Sequence, residues 1–181
     1  MLVKFTLTVV LIGVLSFPCI AQERQLTIPV ELNALKAAVG VWDAEIEVWA
    51  QGPDSPSIKF KGVETNRAYG DYWIASDFDS EYQGQTMKVH SIVGYDLDKK
   101  KMVGTVIDHG AYSASMIGDY DKDSKTLSWI TNAKSATGDP LVQKTTITQT
   151  DETERVLVLS VPGKEENDFI KFMQIKFVKR K

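Results

Sequence analysis

Few side chains in this sequence could do chemistry. A nucleophile relay needs a Ser, Thr or Cys beside a base that a third group orients, and the only imidazoles are His90 and His109. His90 shares its phase with Thr86 and Lys88 and opposes Met87 and Val89, which turns it outward into solvent. His109 follows Asp108 and precedes Gly110 at the end of an apolar run, where an acid and a base could face the rim of an enclosed space. A single histidine with no second ligand nearby is a weak haem or metal signal, and a turn capped by Asp108 explains the same residues. The sequence holds no Gly-x-Ser-x-Gly elbow, phosphate-cradling glycine loop, His-x-x-x-His or Cys-x-x-Cys spacing. It therefore predicts no catalytic residue, no metal and no cofactor.

The other polar candidates lie in one segment. If the phase of Ile58 and Phe60 continues, Glu64 and Asn66 face inward and Arg67 outward; a bulge at Gly62 reverses this and sends Val63, Thr65 and Arg67 inward. Burying an unpaired charge costs several kcal/mol, so whichever set is inside needs a partner or a ligand. Trp42, Tyr72, Phe78, Trp129 and Phe177 fall on apolar phases and supply bulk for a core or a cavity wall. The candidate ligand-contacting set is thus Trp42, Glu64, Arg67, Tyr72, Asp108, His109 and Trp129. Asp119, Asp121 and Asp123 suggest a calcium loop, but the glycine of loop position six is missing and Lys125 stands close by, so Asx-type turns fit better.

The elements that position these residues are strands. One helical candidate, Glu31 to Val39, places Leu32, Leu35, Ala38 and Val39 on one face, with Gly40 to end it. The period then changes to two: Trp42, Ala44, Ile46 and Val48 alternate with Asp43, Glu45 and Glu47, and Tyr72, Ile74, Phe78 and Tyr82 alternate with acidic residues. Further strands are predicted over 58–69, 86–95, 102–107, 112–120, 126–133, 142–150, 155–161 and 169–178. Short connections impose antiparallel neighbours. About ten such strands are expected to close into an all-β, up-and-down antiparallel barrel, because closure removes exposed edges. A weak repeat supports a meander: Tyr95, Asp96, Asp98 and Lys100 return as Tyr120, Asp121, Asp123 and Lys125, behind Gly94 and Gly118 respectively.

Composition sets the frame. The 181 residues carry 21 basic and 24 acidic side chains, a balance without the basic patch of a nucleic-acid binder. Residues 1–21 differ from the rest: Lys4 precedes an uncharged apolar stretch from Phe5 to Phe17, too short to span a bilayer as a helix, and Cys19 and Ala21 sit at the −3 and −1 positions of a cut. This predicts a signal peptide cleaved between Ala21 and Gln22, and a single domain over 22–181 that is periplasmic or extracellular. An uncleaved anchor is the competing reading; a lipoprotein is disfavoured by Pro18 before the cysteine. Cleavage removes the only cysteine, so the exported domain has no disulfide and is held by packing.

Five short motifs spread over nearly the whole domain carry a family resemblance. They are Leu32-x-x-Leu35 through Val39-Gly40-Val41-Trp42, Ala68 to Trp73, Gly94-Tyr95-Asp96, Ile107 to Gly110, and Gly118-Asp119-Tyr120-Asp121. The chain resembles the uncharacterised bacterial family catalogued as domain of unknown function 1579. That resemblance implies a lipocalin-like or calycin-like barrel, often in exported proteins, and no agreed activity. The early Gly-x-Trp beside a short helix is also similar to the barrel-closing device of lipocalins and nitrobindin-like haem barrels, which implies that Trp42 packs across the base.

A barrel wider than eight strands tends to leave interior volume. The preferred function is therefore an exported barrel that binds a small apolar or amphipathic ligand. The alternatives are a hydrolase or isomerase using Asp108 and His109 at the mouth, and a structural envelope protein that binds other proteins. No nucleic acid and no membrane span in the mature chain are expected.

Overall fold

The computed structural model describes residues 29–135, 137–165 and 168–181. The predicted signal peptide and its cleavage point lie outside them. One helix, α1 (Val30–Ala37), precedes ten strands: β1 (Gly40–Val48), β2 (Ile58–Tyr69), β3 (Trp73–Tyr82), β4 (Gln85–Asp96), β5 (Lys101–Ile107), β6 (Ala114–Asp121), β7 (Thr126–Lys134), β8 (Pro140–Gln149), β9 (Glu154–Pro162) and β10 (Phe169–Lys179). Every strand pairs antiparallel with its neighbour in sequence, and β1 pairs with β10 from Trp42↔Lys179 to Val48↔Met173, so the sheet closes. This is the up-and-down barrel with one N-terminal helix that the alternation predicts. Its helix is shifted by one residue from the expected start, and β6 begins at Ala114 rather than Tyr112.

The alternation has a direct physical reading. In β1, Trp42, Ala44 and Ile46 are buried while Asp43 and Glu45 are exposed, as an inner and an outer face require. The tight β3–β4 connection is Gln83-Gly84, both with positive φ (51° and 76°), the geometry of a two-residue hairpin turn whose twist matches that of the strands.

The two ends of the barrel differ. Helix α1 plugs one end, setting Leu32 and Leu35 against Ile74, Met102, Leu127 and Trp129. A second apolar cluster, built on Trp42, Ala44, Ile46, Ile175 and Phe177, runs along β1 and β10. The helix is tied down at its C-terminal side, where the Ala38 carbonyl accepts from Trp42 Nε1 at 2.8 Å and from Asn66 Nδ2 at 3.1 Å. Towards the opposite end, the inward positions Val89, Ser91, Val106, Ala114 and Leu159 are only half-buried, and Met87 is 39% exposed. One end is therefore packed, and the other is a mouth that solvent enters.

The internal repeat corresponds to two hairpins at the helix end. Asp96 Oδ1 accepts from the amides of Asp98 and Lys99, Asp121 Oδ1 accepts from those of Asp123 and Ser124, and Lys100 and Lys125 close the turns at φ 52° and 51°. These are Asx turns, with no calcium loop among the described residues. Tyr95 and Tyr120 both pack on the cluster under the helix. Gly94 directly precedes its tyrosine and lies on the outer face, whereas Gly118 stands two residues before its own and faces inward. Each is a glycine for the same reason: a Cβ would come within 2.5 Å of the Trp73 indole at Gly94 and 2.6 Å of the Trp129 indole at Gly118.

The Asx turns make the barrel acid-sensitive. Lys99 and the turn amides hold Asp96 below its usual carboxylate range, and the Asp123 and Ser124 groups do the same for Asp121. A carboxylate with a depressed folded-state pKa stabilises fully above its unfolded value of about 3.9, and that stability fades as pH falls through the folded value. The Asp96→Asn, Asp121→Asn double variant keeps turn acceptors but removes these two titrations. Its urea midpoint should fall less between pH 7 and pH 3 than that of the parent; an equal fall contradicts the assignment.

Candidate ligand-binding site

The β1–β2 register runs unbroken from Gly40↔Asn66 to Val48↔Ile58, so there is no bulge at Gly62 and the phase of Phe60 carries through. Glu64 and Asn66 face inward. Arg67 faces outward, where its Nη1 donates to Asp77 Oδ2 at 2.6 Å from a side chain that is 63% exposed.

Inside, Glu64 meets Arg155, the first inward residue of β9. Arg155 reaches past β10 and β1 and donates through Nη2 to Glu64 Oε2. The same oxygen accepts from Asn66 Nδ2 at 2.8 Å, and Oε1 accepts from Ser76 Oγ at 3.3 Å. The guanidinium carbon sits 4.4 Å from the Trp42 ring centroid and 4.6 Å from that of Phe177. Arginine suits this place because its weakly hydrated planar cation stacks on aromatic faces while its edge still donates. Burial pushes the Arg155 pKa down to about 10, which leaves it charged at neutral pH. The side chain is 5% exposed and its Nε has no hydrogen-bond partner.

Above this base the inward wall carries no further charge among the described strand residues. Aromatic pairs line one side: Phe60 with Tyr82 at 5.3 Å and Phe78 edge-on to Phe177 at 6.3 Å. Hydroxyls and amides such as Ser80, Ser91, Thr131 and Gln143 interrupt the apolar wall. Ser80 Oγ is buried and, like Arg155 Nε, has no partner.

The remaining sequence candidates do not converge on one point. Trp42 is fully buried, and it meets Glu64 beneath the Ala38 carbonyl. Tyr72 and Trp129 pack in the cluster under α1. Asp108 and His109 lie in the β5–β6 connection at the mouth. There, Asp108 Oδ1 accepts from the Gly110 amide at 2.6 Å and His109 Nε2 accepts from the Lys88 amide at 2.9 Å. Each side chain is thus committed to its own loop contact, and neither is hydrogen-bonded to the other. His90 faces outward as expected, although it is not simply solvated: its Nδ1 lies 2.7 Å from Asp77 Oδ1. Among the described residues, no three His, Cys, Asp or Glu side chains group as metal ligands, and no helix is long and apolar enough to cross a membrane.

Comparison with known proteins gives a family and a fold. The chain belongs to the family described as "Protein of unknown function (DUF1579)", which matches residues 30–179. No curated protein matches it. It is similar to the solved structure of Rv2717c from M. tuberculosis, with a TM-score of 0.64 at 8% identity over 86% of this chain and 100% of that one. It is also similar to the S-type phycobiliprotein lyase CPES from Guillardia theta, with a TM-score of 0.54 at 9% identity over 82% of this chain and 92% of that one. At these identities the likenesses bear on the fold alone, the closed antiparallel barrel described above.

The base pair makes a stability prediction. Removing one member of a buried ion pair strands the other, at about 3–5 kcal/mol, whereas replacing both by apolar residues is often close to neutral. Glu64→Gln should therefore lower the unfolding free energy by roughly 3 kcal/mol. The Glu64→Leu, Arg155→Met double variant should lose less than Glu64→Gln alone. Urea denaturation checks both, and a fully additive double variant contradicts the pairing.

Proposed function

We propose that this protein is an exported barrel that binds a small apolar or amphipathic molecule in the mouth half of its lumen. The observation that carries the reading is the contrast between the two ends. At the helix end the interior is filled by large side chains, whereas at the mouth the inward wall is apolar yet only half-buried. A folded monomer gains nothing by exposing such a wall to water, since burying apolar surface stabilises by about 25 cal/mol per Å². A ligand recovers that energy. Gln143, half-buried on the same wall, supplies a polar contact for an amphipathic molecule. The same architecture in a phycobiliprotein lyase is a precedent for function on this scaffold; fold likeness assigns no ligand, so the reading stands on the lumen wall.

Export rests on residues 1–21, whose charged start, short apolar stretch and small residues before the cut fit a signal peptide. Amino-terminal sequencing of the protein recovered from cells should begin at Gln22; a chain that begins at Met1 or Leu2 contradicts it.

Ser91 and Ala114 flank Val106 across three strands of the mouth half. A Ser91→Phe, Ala114→Phe double variant fills that space from the wall. The parent should bind a neutral polarity-sensitive dye such as Nile red and release it to a competing lipid, with native mass spectrometry identifying any co-purifying molecule. The variant should bind the dye at least about tenfold more weakly, equivalent to 1.4 kcal/mol, at an unchanged melting temperature. Absence of dye binding by the parent, or equal binding by both, overturns the proposal.

A further inference from the structure

The lumen wall has two unlike sides. Phe60 of β2 and Tyr82 of β3 form an aromatic side, with ring centroids 5.3 Å apart. Thr131 of β7 pairs with Gln143 of β8 on the inward phase of Leu127 and Trp129, and Thr145 stands opposite Trp129 on that same phase. In the closed strand order β7 and β8 lie five strands from β2 and β3, so this polar strip and the aromatic pair are on facing walls. Gln143 and Thr145 are half-buried, and from inward positions their accessible surface is that of the lumen.

The polar strip is neutral throughout. Above the Glu64–Arg155 base, no inward strand residue among those described carries a charge. Arg155 is not free for an incoming anion, because Glu64 holds it and is itself held by Asn66 and Ser76. Displacing Glu64 would strand a buried carboxylate, which is a costly exchange. The rim offers no substitute. Among the described residues its connections carry Asp54, Asp108, Asp139, Glu165 and Asp168 against Lys164. The lysines of the adjoining strand ends point outward and are engaged there: Lys59 with Glu47 and Lys88 with Asp79, each at 3.3 Å, and Lys134, Lys144 and Lys171 over the Tyr112, Phe169 and Trp49 rings. An anionic headgroup therefore meets like charge in the connections and an uncharged wall inside them. An ammonium headgroup meets no free carboxylate on that wall. A hydroxyl, amide or ester loses far less on leaving water, and the Gln143 amide can both donate to it and accept from it.

We infer that the lumen selects an uncharged amphiphile, its neutral polar group set against Gln143 and Thr145 and its apolar part against the aromatic side. This rests on the lumen reading above and adds to it the class of headgroup.

The test uses three probes that share one ten-carbon chain: 1-decanol, decanoate and decylammonium. Each displaces Nile red from the purified protein at neutral pH, below the concentration at which the probe aggregates. Decanol should compete at least about tenfold more tightly than either ion. Since an uncharged headgroup also enters any apolar space more readily, a wall variant supplies the specific readout. Gln143→Lys places a cation on the polar strip and should tighten decanoate at least about tenfold relative to the parent, while weakening decylammonium. If Gln143→Lys does not fold, Gln143→Leu decides: it removes the amide at similar volume and should weaken decanol several-fold. Nile red that binds the parent and is displaced as well by decanoate or decylammonium as by decanol overturns this inference and leaves the lumen reading standing. Unchanged decanoate affinity in Gln143→Lys, or unchanged decanol affinity in the deciding variant, overturns it as well. Absence of Nile red binding by the parent removes the lumen reading itself, and this inference with it.

Discussion

The interior of this barrel is organised around one buried cation. Arg155 starts on β9, passes between the rings of Trp42 and Phe177, and ends on Glu64 of β2, so a single side chain crosses the β10–β1 seam from within. Hydrogen bonding along the seam is supplied by the backbone, as in any other strand pair. What the side-chain network adds is position. Glu64 is fixed by Asn66 and Ser76, Asn66 in turn donates to the Ala38 carbonyl, and Trp42 donates to that same carbonyl. The helix is therefore seated by the groups that orient the ion pair. A shift of α1 would unpair donors in a place water does not easily reach, which is the costly kind of loss.

This arrangement divides the molecule. The plugged end concentrates bulk, aromatic stacking and charge compensation, and it needs no thiol to hold it together. The mouth half is walled by strands whose inner faces carry the Phe60–Tyr82 pair on one side and half-buried residues such as Val89, Ser91, Val106 and Leu159 elsewhere. Its loops satisfy themselves: Asp108 bonds to Gly110, and His109 bonds back to the β4 backbone at Lys88. An acid–base pair at the mouth would need Asp108 and His109 to face each other, and their hydrogen bonds draw them to different partners. The structure therefore does not bring these two side chains together as a pair.

Most of the barrel was legible because its strands obey a simple period. Asp43, Glu45 and Glu47 interleave with Trp42, Ala44 and Ile46, and that alternation alone fixes which face is inside. Glu64 was legible as an inward charge by carrying forward the phase of Phe60, and such a charge demands a partner. The partner was missed because it lies 91 residues away, at a strand start where Thr153, Glu154 and Arg155 show no alternation of their own. The signal was present in the other direction. Leu157, Leu159 and Val161 are inward, and counting back by two from them lands on Arg155. The helix plug was visible as a periodic segment, but its role was not, since nothing in Leu32 and Leu35 says which end of a barrel they enter. Arg67 illustrates a different difficulty: two registers were compatible with the sequence, and only the unbroken pairing with β1 selects one.

The closing pair of strands also bears on how the chain reaches this state. Nine of the ten pairings join consecutive strands and are made by hairpins, but β1 must find β10, and the Asp43–Arg180 contact on that seam joins residues 137 positions apart. Closing so long a loop costs entropy before any seam contact repays it. That cost favours an order in which the hairpins form before the seam. In that order Glu64 and Arg155 would meet late, and their energy would act mainly on the rate at which the barrel reopens. A slow reopening step is a form of durability that equilibrium stability does not measure.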